Sequence, residues 1–147
     1  MTLRISGPPR AARMPRFDRR LLAARARAAL RAIGQPRAEL SLSLVDDLAM
    51  GELNAVHRSK AGPTDVLSFS LLEGAHSEHR GALLGDVVID VEQAARQARR
   101  ARRTLDEELA KLLIHGVLHL VGHDHEADAD ARRMRAEERR LWRTLGA

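Results

Sequence analysis

His115 and His119 stand four residues apart in the run LDEELAKLLIHGVLHLV. On a helix their imidazoles project from the same face one turn apart and can share one metal ion. The chain continues GHDH, where Gly122 lets the backbone leave the helix and His125 can swing back as a third ligand. Three protein nitrogens leave one tetrahedral position open, the arrangement of a catalytic rather than a structural zinc. His123 and Asp124 are the other donors nearby. If the helix continued to His123, that residue would sit about 12 Å along the axis from His115, too far for both rings to reach one ion about 2 Å away. The expectation is therefore one Zn²⁺ per chain, or another divalent ion, on His115, His119 and His125.

The same spacing occurs in the metzincin proteases, H-E-x-x-H-x-x-G-x-x-H. Here the second position is Gly116 rather than Glu, so the general base of peptide hydrolysis is missing. Cysteine is absent, which removes thiolate metal sites and disulfides together. His76 and His79 fall in a polar stretch and are expected in solvent. His57 precedes a turn-rich loop and reads as a helix-terminal histidine.

The elements that must position these residues follow from periodicity. Residues 18–33 place Leu22, Ala26, Ala29, Leu30 and Ile33 on one helical stripe, ended by Gly34 and Pro36. Glu39–Val45 alternates as a half-buried strand, and Asp46 or Asp47 caps a second helix running to about His57. Arg58–Thr64 reads as loop, VLSFSL from Val66 as strand, Leu71–Arg80 as a hairpin connection and Leu83–Asp90 as another strand. Asp90 with Gln93, and Thr104 with Glu107, resemble capping boxes for two successive helices. The second is the histidine helix, apolar in its later half and stopped by Gly122. A last helix, roughly Ala127–Leu145, carries Met134, Glu138, Leu141 and Leu145 near one stripe. Thr2–Ser6 is a short first strand, with residues 1–17 extended or partly irregular because Pro8, Pro9 and Pro15 break helices.

These elements describe an α+β fold, and 147 residues suit one domain spanning the chain. No run approaches the roughly 20 apolar residues of a membrane helix, so a soluble, cytoplasmic protein without membrane contact is expected. The formal charge of +5 permits a nucleic-acid partner without demanding one. The Arg-rich stretch from Arg96 to Arg103 reads as a solvated face. With Phe17, Phe69 and Trp142 as the whole aromatic complement, RNA binding would lean on phosphate and shape rather than base stacking.

HGVLHLVGHDH resembles the H-G-x-L-H-L-x-G-[Y]-D-H signature of the YbeY family of bacterial metalloproteins. GELNAVHRSKAGPTDVLSF, Gly51–Phe69, resembles the family's E-L-N-x-x-[Y]-R-x-K-x-x-P-T-D-V-L-S-F block, and LLGDVVID its L-G-D-[IL]-x-I strand. The departures are His123 and His57 where Tyr is usual, and Ser70 where Pro commonly follows S-F. The resemblance implies a small mixed α/β sandwich, a mostly four-stranded sheet with about five helices and the metal at the end of a buried helix. It implies zinc on His115, His119 and His125, a functional arginine at Arg58, and single-strand endoribonuclease activity in ribosomal RNA maturation and ribosome quality control. The partner is then RNA, ribosomal RNA or the small ribosomal subunit, with the oligomeric state open. Two other readings stay open: an assembly factor whose zinc is structural and whose catalysis is slight, and a metal hydrolase of a non-RNA substrate. Arg58 would serve any anion, because its planar donor fork stabilises charge on phosphoryl oxygens.

Overall fold

Alternation in the strands decides which way the molecule is layered. The computed structural model describes residues 2–10, 14–57, 65–70, 83–123 and 127–147. Within them the order is β1 (Thr2–Ser6), α1 (Arg19–Ala32), β2 (Glu39–Val45), α2 (Asp47–His57), β3 (Val66–Ser70), β4 (Leu83–Asp90), α3 (Val91–Ala101), α4 (Leu105–Leu120) and α5 (Asp128–Thr144). One sheet runs β1-β2-β4-β3. β1, β2 and β4 are parallel neighbours, and β3 lies antiparallel to β4. This is the expected α+β arrangement, four strands with five helices. The antiparallel pair agrees with a hairpin, although the connection at 71–82 and the loop at 58–64 lie outside the described residues.

Along β2, buried Leu40, Leu42 and Leu44 alternate with partly exposed residues. Leu42 faces Val87 and Leu44 faces Ile89 across the ladder, and period-two geometry puts all of them on one side. That side packs against α1 and α4 through Leu22, Leu30, Leu109, Leu113 and Val117. The opposite side carries Leu67 and Val88, covered by Met50 of α2.

α4 is buried on nearly every side because two clusters claim it. Leu109, Leu112, Leu113, Val117 and Leu120 join the sheet core, while Ile114 and Leu118 join Ala29 of α1 with Met134, Leu141 and Leu145, the stripe read from the last helix. Leu113 is fully buried, and its truncation to Ala should cost about 3 kcal/mol. Past its first turn, what α4 leaves toward solvent is one stripe at four-residue spacing: exposed Lys111, then half-buried His115 and His119.

The helix is fixed at both ends. Thr104 Oγ1 accepts from the Glu107 N–H at 3.1 Å while a Glu107 carboxylate oxygen accepts from the Thr104 N–H at 2.9 Å, the full reciprocal box. At the other end the Gly122 N–H donates to the His119 carbonyl at 3.1 Å and the His123 N–H to the Leu118 carbonyl at 3.0 Å. Gly122 has φ of +94°, and this is a Schellman stop. The box expected at α3 forms only by half. Asp90 accepts from the Glu92 and Gln93 N–H groups, but the Asp90 N–H already donates to the Asp65 carbonyl at 2.9 Å, and Gln93 instead accepts from Arg96.

Candidate metal centre

The last two turns of α4 bring the imidazoles of His115 and His119 face to edge, with ring centroids 4.6 Å apart and planes at 69°. Their Nε2 atoms lie 3.0 Å from each other. Two neutral imidazoles can meet this way around one shared proton. Two nitrogens each about 2.0 Å from a zinc at tetrahedral angles would be roughly 3.3 Å apart, so the pair also fits two corners of a metal site with little adjustment. Their donor chemistry suits zinc and disfavours calcium or magnesium, which take oxygen.

Gly116, between the two histidines in sequence, is where the helix touches the sheet. A Cβ added there would lie 2.7 Å and 3.1 Å from the two methyl carbons of Val87 and 3.2 Å from the Ser68 hydroxyl oxygen. Val87 and Ser68 are paired across β4 and β3, so the side chain of either is fixed by the ladder and cannot easily retreat. Ser68 Oγ donates to the Gly116 carbonyl at 3.1 Å. The position that reads as a missing general base is thus a close-approach glycine, where any side chain must push Val87 aside. Sequence reasoning gave Ser68 no role; only the register could have shown it under the metal helix.

Of the residues expected at the site, the structure brings together His115 and His119. Arg58 and His125 lie outside the described residues, as do His76 and His79. His123 is half-buried and lines a cleft of about 270 Å³ with Asp130 and Arg133. Among the described residues, no third His, Asp or Glu forms a close group with the histidine pair.

A second polar cluster was not foreseen. Asp47, Asp90 and Glu92 bring one carboxylate oxygen each within 4.8 Å of one another, a group of acidic side chains that could hold a metal ion. Arg96 is exposed, as expected of the arginine stretch, and also donates to both carboxylate oxygens of Asp47 at 2.9 Å and 2.7 Å. That guanidinium holds the Asp47 carboxyl below its ordinary range. Asp90 is 3% exposed, and burial, then the hydrogen bond with Asp47, pushes its carboxyl up to about 7. Glu92 in turn accepts from the Asp47 N–H at 3.0 Å. The only sequence signal for this cluster is the pair of acidic helix starts that it joins.

Comparisons with known proteins identify the family. The family model described as endoribonuclease YbeY matches residues 15–146. An endoribonuclease YbeY from Anaeromyxobacter sp. (strain Fw109-5) is 48% identical over 147 residues, covering 99% of this chain and 73% of the relative. One from Myxococcus xanthus is 49% identical over 122 residues, 83% of this chain but 42% of the relative's length. The solution structure of a Thermotoga maritima protein superposes with a TM-score of 0.65 at 25% identity, covering 98% of this chain and 89% of that one. Matched along nearly its whole length by the family model and by close relatives, the chain belongs to the endoribonuclease YbeY family.

Proposed function

We propose that this chain is a zinc-dependent, single-strand-specific endoribonuclease acting in ribosomal RNA maturation, with the ion held by His115, His119 and His125. The observation that carries the reading is the pair of Nε2 atoms converging at 3.0 Å on the solvent stripe of an otherwise buried helix. Gly122 turns the chain out of α4 immediately afterwards, and His125 follows within about 7 Å of extended backbone from His123. A bound zinc ion would supply Lewis-acid activation at a phosphodiester.

The chain's own residues do the rest. Arg58, directly after α2, presents a fork of N–H donors to the phosphoryl oxygens, where charge grows during cleavage. Ser68 and Gly116 hold the histidine turn against the sheet. The names of the relatives, each an endoribonuclease, support RNA as the substrate.

The test is cleavage of precursor ribosomal RNA by the purified protein, with His119→Ala and Arg58→Ala prepared identically. Wild type should cleave, His119→Ala should lose both metal and cleavage, and Arg58→Ala should keep the metal while losing most activity. Arg58→Lys should recover only part, since an ammonium cannot reproduce the bidentate fork. An inactive wild type holding a full equivalent of zinc would defeat the reading.

A further inference from the structure

Between α4 and α5 runs a cleft of about 420 Å³ whose floor includes Ile114 and Trp142 and whose rim carries Arg103, Lys111, Arg139 and Arg143. Glu108, 1% exposed, sits beneath this rim, 3.4 Å from Arg103 and 3.8 Å from Lys111. One buried carboxylate thus anchors two cations and neutralises one. Arg103 also lies over the Trp142 ring, 5.7 Å from its centroid, a cation–π contact that fixes its direction. Among the described residues no carboxylate forms an ion pair with Arg139 or Arg143. Even counting Glu138 on the lining and Glu108 below, the cleft keeps a surplus of positive charge.

An apolar, aromatic floor under a cationic rim is complementary to a nucleotide strand, with a flat base inside and phosphates at the edge. An acidic peptide would match the rim but leave the floor to water. Position adds the decisive point. Lys111 stands on the same exposed stripe of α4 as the histidine pair, four residues before His115, about 6 Å along the helix axis. A strand whose phosphodiester reaches the histidines can continue along that stripe into the cleft.

We propose that this cleft is a second RNA contact, in which single-stranded RNA lays a nucleobase on the Ile114–Trp142 floor and its flanking phosphates on Lys111, Arg139 and Arg143. The inference rests on the reading of the chain as an RNA-cleaving enzyme and adds the path by which the strand leaves the metal centre. Arg binds phosphate here through its planar donor fork, so the contact selects a backbone rather than a sequence.

The test uses the zinc-loaded full chain and a labelled, unstructured oligouridylate with 2′-O-methyl riboses, which resists cleavage. Trp142 is the only tryptophan, so its emission reports the cleft while the anisotropy of the label reports binding anywhere. Both signals should move together on titration. Arg139→Gln with Arg143→Gln, both exposed, should leave the melting temperature and zinc content intact and weaken binding about tenfold. The salt slope of log K should become shallower by about 1.4, near 0.7 for each lost single-strand phosphate contact. Binding seen by anisotropy, with Trp142 emission unmoved and the double variant equal to wild type, would overturn the cleft while leaving the RNA-cleaving reading standing. No anisotropy change at all would overturn both. A shift of Trp142 emission with oligoglutamate but not with RNA would assign the cleft to an acidic protein and overturn the proposal.

Discussion

Two parts of this molecule gather groups that can bind a metal, and they differ in what those groups already do. At the Asp47, Asp90 and Glu92 cluster each carboxylate accepts hydrogen bonds from within the protein. Arg96 occupies both oxygens of Asp47, two helix N–H groups converge on Asp90, and the Asp47 N–H takes Glu92. The cluster locks the starts of α2 and α3 together. At the end of α4, by contrast, two ring nitrogens are aimed at one point beside solvent. Crowding of ligand atoms is therefore a poor guide unless their lone pairs are followed to a partner. An added cation at the acidic cluster must displace Arg96, whereas at the histidine pair it meets two ring nitrogens that already converge.

The largest effect that separates the two regions is on metal stoichiometry. His115→Ala and His119→Ala should each abolish the bound ion, measured by elemental analysis after dialysis, and lower the melting temperature, because an ion that binds only the folded state stabilises it by mass action. Asp47→Asn should leave the stoichiometry unchanged. Metal lost from Asp47→Asn and kept in His119→Ala would invert the comparison.

Next comes the contact that holds the histidine turn in place. Gly116→Ala pushes a methyl into Val87, whose nearest carbon would be 2.7 Å away. Overpacking of this kind costs about 1–3 kcal/mol. Gly116→Glu restores the protease pattern on paper but drives a carboxylate onto the apolar face of the sheet, and that variant should fail to fold. Chemical denaturation checks both. If Gly116→Ala were as stable as wild type, α4 would have room to lift from β4, and the close approach would not be what sets the histidines.

How much of this was legible in the sequence depends on the range of the interaction. α1, β2 and α4 could be placed from local signals, since the apolar stripe of residues 18–33, the Thr104 cap, the alternation of Glu39–Val45 and the Gly122 stop act within a few residues. The histidine pair was equally local, because four residues is one helical turn. Gly116 against Val87 and Ser68 spans the fold, so it depends on a strand register that no short window contains. The Asp47–Arg96 ion pair is likewise set by where α2 and α3 begin relative to the sheet. Read one residue at a time, Arg96 belonged with its arginine neighbours. Arg103 did too, yet it is bound to Glu108 and Trp142.

A smaller effect tests the acidic cluster by pH. The folded-state carboxyl of Asp90 is raised to about 7 from an ordinary value of 3.8, so the native state holds a proton that the unfolded chain has released across that interval. Stability contributed by Asp90 is therefore full below about pH 4 and falls as pH rises toward 7, by about 4 kcal/mol at most. The lowered Asp47 carboxyl works in a different window, its contribution being lost as pH falls below the ordinary carboxylate range. Asp90→Asn keeps an N-cap acceptor and cannot ionise, so the decline between pH 4 and 7 should vanish from its melting curves. An unchanged decline would mean that another group titrates there. Metal content should follow neither curve, as the cluster and the histidine pair are separate.

The smallest effect is expected at His123, the histidine nearest the pair that the helix does not deliver to it. α4 ends at Leu120, and the Schellman turn at Gly122 sends the following backbone N–H back toward Leu118. His123 comes out of that turn half-buried beside Asp130 and Arg133, and it forms no close ligand group with His115 and His119. A ring placed there packs against a cleft wall, and an aromatic of similar shape should do so equally well. His123→Tyr should therefore keep one metal per chain and most RNA cleavage, and change stability by less than about 0.5 kcal/mol. His125→Ala should lose both metal and cleavage if the third ligand comes from two residues further on. The opposite pair of results, metal lost with His123→Tyr and kept with His125→Ala, would show that the turn after Gly122 closes on the pair two residues earlier than proposed.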